Sequence, residues 1–367
     1  MSATRSQRLQ KSFLKYQHVF VFAAPAVFMA LVVLAAPTGG SGGFGYWLEY
    51  WWLFPFFLLG ATIVNTVGIS GSALFVPFLI FIFPLLAFPL DPATIVKVGL
   101  ISESFGLSSS SIAFIQYGLV DRRLALTIVA GSVPFVIGGA ILSFFIPEPL
   151  FHAALGAALL TAGYLMLKAD VSHGESDDGR ADAVSTDGGS SADLPDDDGK
   201  LGPAGVDSTN EGAVTRVDRG GDTYQYSWSG YLERFANYSV GGTFQGLAGF
   251  GSGELGIISQ LRTGVPTRVA IGTNHIIVAT TAILASLVHV FGGEILGAFG
   301  VGGVHSLSIA STPWNMVVFT VPATVTGGQI APYVSNALDT GTIQKGVAGL
   351  FVLISTALFL MAAGAGV

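Results

Sequence analysis

From Thr267 to Phe291 the chain runs 25 residues with a single charged side chain, Arg268. A helix needs about 20 mostly apolar residues to cross a hydrocarbon core of about 30 Å. In lipid, the helix satisfies its own backbone polar groups. Comparable runs cover Val19–Ala36, Trp51–Val67, Leu74–Leu90, Ala93–Gln116, Leu124–Ile146, Leu150–Leu167, Tyr231–Gly249, Trp314–Val334 and Thr342–Met361. Charged residues make up 11% of the 367, against about 25% in an average soluble domain. The runs therefore predict an all-α polytopic membrane protein in a lipid bilayer.

The charge is unevenly placed. Between Asp170 and Asp222 there are fourteen Asp/Glu and four Lys/Arg, whereas the rest of the chain has nine acidic and twelve basic residues. That stretch is rich in Asp, Gly and Ser and poor in large apolar residues. It cannot bury enough surface to offset its ordering entropy, so a disordered loop is expected there. The pattern divides the chain into a basic N-terminus with an extra helix (1–50), a first membrane block (51–168), the acidic loop (169–229) and a second block (230–367). Val19–Ala36 is long enough to span and reads as a retained helix rather than a signal peptide. Arg5, Arg8, Lys11 and Lys15 precede it and place the N-terminus in the cytoplasm.

The two blocks resemble each other. "GATIVNTVGISGSALFVP" (Gly60–Pro77) lies over "GGTFQGLAGFGSGELGII" (Gly241–Ile258) without a gap, so Gly68 faces Gly249 and Ser72 faces Gly253. "DPATIVKVG" (91–99) parallels "VPTRVAIGT" (265–273), and "VPFVIGG" (133–139) parallels "VPATVTGG" (321–328) within one residue. Five segments per block is an odd number, so the repeats enter the membrane from opposite faces. That arrangement puts Arg122, Arg123, Lys168, the acidic loop, Arg262, Arg268 and Lys345 on the cytoplasmic side, as expected for an inverted repeat. Lys97 is the exception and is expected to snorkel to the outer interface.

Each repeat opens with a helix, a Gly/Ser break and a shorter apolar piece. Leu255–Thr263, at about 1.5 Å per residue, is too short to cross the membrane, so the breaks read as re-entrant pairs of half-helices. Unwound backbone at membrane depth survives where it lines a cavity or packs against protein. The N-terminus of a half-helix offers free N–H groups and partial positive charge, which suits an anion. Candidate substrate-binding residues are Asn65, Gly68, Ser70, Gly71, Ser72, Gln245, Gly249, Gly251, Ser252, Gly253, Thr273 and Asn274. Close helix packing through small residues is the plainer explanation of the glycines.

Intramembrane ionisable groups often relay protons. Glu103, Glu254 and His275 are therefore candidates for coupling to protons or another ion. Arg262 and Arg268 either draw an anion inward or set topology. His289, beside "FGGE", reads as interfacial. Six histidines lack metal-ligand spacing and the chain has no cysteine, so no metal site is expected. No cofactor or nucleic-acid motif is present, nor any hydrolase, zincin or Walker signature, and an enzyme is not expected.

At these residues the chain resembles the sulfite exporter TauE/SafE family of membrane permeases. The resemblance is carried by "GLAGFGSGELGIISQLRTGVPTRVAIGTN" (Gly246–Asn274), by "VGISGSALFVPFLI" (Val67–Ile80), and by the stretch from Val129 to Leu167. The first break replaces two of the family's glycines by Ser70 and Ser72. The resemblance implies secondary transport of a small sulfur-containing anion, sulfite or an organosulfonate, driven by an ion gradient. An anion channel and a non-transporting membrane scaffold are the alternatives.

Overall fold

In the computed structural model the described residues are 25–36, 43–116, 120–143, most of 145–164, three short pieces between 206 and 226, 228–298 apart from 266, 309–337 and parts of 345–363. The basic N-terminal run and the Arg268 side chain lie outside them. In order come α1 (Pro25–Ala35), α2 (Phe44–Leu48), α3 (Leu53–Val67), α4 (Ser72–Pro77), a π-helical segment (Phe78–Ile82), α5 (Phe83–Leu86), α6 (Pro92–Gln116), α7 (Arg122–Leu142) and α8 (His152–Thr161). After the acidic stretch follow α9 (Trp228–Ala248), α10 (Ser252–Arg262), α11 (Thr267–Ala298) and α12 (Trp314–Ala337), with helical residues again within 345–362. Among the described residues, four stretches are long and apolar enough to cross a bilayer: Phe44–Val67, Ala93–Ile115, Leu124–Leu142 and Val269–Ala298. Large apolar side chains such as Leu34, Leu59, Leu85 and Leu126 point outward, between 62% and 83% exposed. A soluble protein could not afford such a surface, whereas lipid accepts it.

Swapping the two blocks maps one set of helix contacts onto the other. The helix opening each block, α3 or α9, packs on the other block's later helix, α12 or α7. Likewise α6 packs on α12 as α11 packs on α7, and α6 and α11 pack on each other at the centre. Small residues set these distances, as in other membrane helix pairs. A Cβ added at Gly139 would lie 2.1 Å from the Thr243 carbonyl oxygen, and one at Gly328 would lie 2.5 Å from that of Gly106.

The shorter pieces after the breaks are held differently. Helix α4 continues through Pro77 as a π-helical turn, which keeps the chain helical where proline removes a donor. Phe75 on α4 stacks on Phe57 of α3, with centroids 4.4 Å apart. By contrast, α10 is a regular helix of 11 residues that ends at Arg262, where Nε pairs with Glu233 at 3.2 Å on the exposed surface.

Three expectations need correcting. The acidic stretch is not without regular structure throughout. Its C-terminal part forms an antiparallel sheet of β1 (Val206–Ser208), β2 (Val214–Val217) and β3 (Thr223–Tyr226), with Val214 opposite both Ser208 and Tyr226. Val, Thr and Tyr alternate there and favour extended chain. Lys97 does not snorkel, because the segment at 309–311 covers it and its Nζ donates to Ser311 Oγ at 2.7 Å. His289 is not interfacial. Helix α11 runs on to Ala298, so His289 lies buried inside it, with Nε2 2.9 Å from the Gly246 carbonyl.

Candidate functional site

Helices α3 and α9 end alike. Gly68 and Gly249 cap them in the left-handed conformation, φ 78° and 90°, where a side chain would be strained. Their N–H groups return to Val64 O at 3.0 Å and Gln245 O at 2.9 Å. The chain then turns into α4 and α10, whose first backbone N–H groups have no partner within the helix.

Carboxylates supply those partners. Glu254, the third residue of α10, accepts from Gly251 N–H at 2.8 Å through Oε2, the reciprocal half of a capping box. Its Oε1 accepts from Ser70 N–H, in the other block, at 3.1 Å. Glu103 on α6 accepts from Ser72 N–H at 3.0 Å through Oε2 and from Gln245 Nε2 at 3.2 Å through Oε1. Gln245 also donates to the Val278 carbonyl and accepts from the Thr281 hydroxyl at 2.9 Å. Both carboxylates are buried, Glu103 at 1% and Glu254 at 0% exposure. A buried charge needs such partners, and charge-assisted bonds to N–H are about twice as strong as neutral ones.

The two breaks touch. A Cβ on Gly253 would lie 2.6 Å from Ser70 N, and one on Gly249 would lie 3.5 Å from Ser72 Oγ. Asn274 on α11 clasps both, its Nδ2 donating to Gly68 O at 2.7 Å and to Gly253 O at 2.9 Å. Its Oδ1 accepts from the Tyr238 hydroxyl, which in turn accepts from Gln260 Nε2 at 2.6 Å. The hydroxyls of Ser70, Ser72 and Ser252 are fully buried; Ser72 lies against Glu103 and Ser70 against both carboxylates in poor hydrogen-bond geometry, and Ser252 makes no bond.

The remaining sequence candidates divide. Gly71 precedes α4 and lies against the Phe75 ring. Asn65 donates to Ala61 O at 2.7 Å, one turn back in α3, and its Oδ1 makes no bond. Thr273 faces the other way and accepts from Asp121 N–H at 2.9 Å, at the start of α7. His275 also points elsewhere, with Nδ1 3.0 Å from Ser110 Oγ and its ring edge-on to Phe114. Sequence reasoning missed Tyr238, Gln260 and Thr281. Each stands beside another polar residue, Tyr238 between Asn237 and Ser239, Gln260 after Ser259 and Thr281 after Thr280, so nothing local singles it out, and none falls within a break.

Residues 53–358 match the family model for sulfite exporter TauE/SafE. The "Probable membrane transporter protein YunE" of Bacillus subtilis (strain 168) is 23% identical over 302 residues, covering 81% of this chain and 92% of that protein. No solved structure matches significantly. The matched region contains both breaks and every residue of the carboxylate cluster, and the chain belongs to the sulfite exporter TauE/SafE family of membrane transporters.

Proposed function

We propose that the protein is a secondary carrier for a small anion, sulfite or an organosulfonate, and that the two breaks form its binding site. The observation that supports this most is the convergence of backbone N–H groups from both blocks on one anionic group. Ser70 N–H and Gly251 N–H, 181 residues apart in sequence, both donate to the Glu254 carboxylate. A pair of helix starts directed at one point is suited to an oxyanion. Asn65, Gln245 and the break serines add polar groups that orient it. Alternating access arises from rocking of one block against the other in opposite membrane orientations, with the acidic stretch and N-terminus on the cytoplasmic side of the cell membrane.

Glu103 and Glu254 are the groups best placed to carry a coupling proton, since each sits on a donor that a substrate would also use. His275 makes its bond to Ser110, away from both carboxylates. Uptake of radiolabelled sulfite and of radiolabelled methanesulfonate into proteoliposomes tests the proposal. Saturable flux that is accumulated against a gradient when a proton gradient is imposed is the expected result. Saturable flux that never exceeds equilibrium would turn the reading to a channel. No flux of any anion would turn it to a scaffold.

A further inference from the structure

We propose that the Glu254 carboxylate is a tethered stand-in for the transported anion, filling the seat between the two breaks and leaving it when substrate enters. The inference rests on the anion-carrier reading and adds the occupant of its site. Three observations carry it. First, Glu254 joins the blocks through one N–H from each, at 2.8 Å and 3.1 Å. A carboxylate presents two oxygens on one atom, and so do sulfite and sulfonates. Second, three fully buried hydroxyls stand at the breaks without a well-formed bond, that of Ser252 and those of Ser70 and Ser72, which lie against the carboxylates in poor hydrogen-bond geometry. Ser70 Oγ lies 2.8 Å from where a Gly253 Cβ would sit, so it stands at the contact between the breaks. The two oxygens of Glu254 each take a backbone donor and meet the Ser70 hydroxyl only in poor geometry, whereas an anion with a third oxygen can turn one towards it. Third, Glu254 is tied to these donors through a side chain of three rotatable bonds on a regular helix, so it can withdraw without unwinding α10.

The physical logic follows from the cost of burying polar groups. Backbone N–H groups left unpaired in a membrane core are unfavourable. A carrier that releases its substrate must either let water in or supply another acceptor. Glu254 supplies one, so the seat holds an acceptor both before and after exchange. The same tether sets a threshold, because an anion enters only if it outcompetes the carboxylate.

The test uses the full chain purified in detergent, with radiolabelled sulfite and sodium formate as probes. Glu254→Ala removes the competitor and is expected to bind sulfite roughly 10- to 100-fold more tightly than wild type, the equivalent of one charge-assisted bond. Formate, a carboxylate free to refill the seat, is expected to raise the melting temperature of Glu254→Ala and to displace sulfite from it competitively. It should leave the wild-type melting curve unmoved. Glu103→Gln removes a neighbouring charge without opening the bridge, and its gain in sulfite affinity should be smaller. Equal gains in the two variants would overturn the tether in favour of simple charge repulsion. A folded Glu254→Ala that binds sulfite no better and ignores formate would also overturn it. Where the alanine variant does not fold, Glu254→Gln takes its place for the sulfite measurement, since its amide keeps the volume but opposes one of the two N–H groups, and a sulfite affinity no better than wild type would overturn the tether. Formate stabilisation of the variant without sulfite binding by either protein would uphold the seat and sink the substrate. Binding of neither probe by any variant would sink both.

Discussion

The first and second breaks follow the same path with different means. Both leave a left-handed glycine, Gly68 or Gly249, and both start a helix on a carboxylate. In the second break the carboxylate is local, three residues beyond the N-cap, and Gly251 adds a second left-handed position at φ 130°. In the first, serines stand at 70 and 72, and the carboxylate comes from Glu103, 31 residues on. The groups that join the breaks, Glu254 and Asn274, both belong to the second block. The two breaks thus share a backbone path while the bridging chemistry is carried on one side.

Equivalent positions can be set against each other. The largest effect is expected at Ser72 and Gly253, which align. Gly253→Leu drives a side chain into the Ser70 backbone and should destabilise by about 3 kcal/mol or more and abolish flux. Ser72→Ala, where a side chain already fits, should stay within about 1 kcal/mol. Chemical unfolding in detergent and proteoliposome flux check both, and similar behaviour of the pair would break the asymmetry. Next comes Asn274→Leu, which leaves two buried carbonyls without their clasp. Interhelical hydrogen bonds in membranes average about 0.6 kcal/mol and reach about 1.7, so a loss of about 2 kcal/mol is expected. An unchanged unfolding midpoint would mean that packing alone joins the breaks.

A finer contrast lies between the caps. Gly68→Ala and Gly249→Ala share the strain of a left-handed alanine, about 1 kcal/mol. At Gly68 the new Cβ also lies 2.8 Å from Ile257 Cδ1 and 3.2 Å from Ile271 Cα, whereas at Gly249 its nearest neighbour is 3.5 Å away. Gly68→Ala should therefore be the worse by about 1 kcal/mol more, read from the same unfolding midpoints. The smallest effect is expected for Thr273→Val, which removes the acceptor for Asp121 N–H and should lower stability by about 1 kcal/mol. A loss of sulfite affinity larger than the loss of stability would return Thr273 to the site.

Much of this arrangement was legible from spacing. Glycines bunched at 68–71 and 249–253 mark where a helix must end, and a piece as short as Leu255–Thr263 has to be a half-helix. The carboxylates could be picked out as misplaced charges. Their partners could not, because the contacts of Glu254 with Ser70 and of Glu103 with Gln245 join residues 184 and 142 positions apart. Such pairings depend on how α6, α9 and α10 pack, and no local pattern records that. Lys97 and His289 were misread for the same reason: their partners, Ser311 and the Gly246 carbonyl, lie 214 and 43 positions away. The sheet at 206–226 was hidden by its neighbours' acidity, although Val214–Val217 and Thr223–Tyr226 carry a strand's composition.

Asn274 has a mechanical consequence. One nitrogen holds a carbonyl from each half, so the two carbonyls share a single pivot. Sliding the halves apart breaks at least one of the bonds, whereas turning one half about that nitrogen keeps both. The clasp therefore permits rotation and resists separation, and it puts the pivot between the two breaks where they meet, at the buried contact of α3 and α10 with α11.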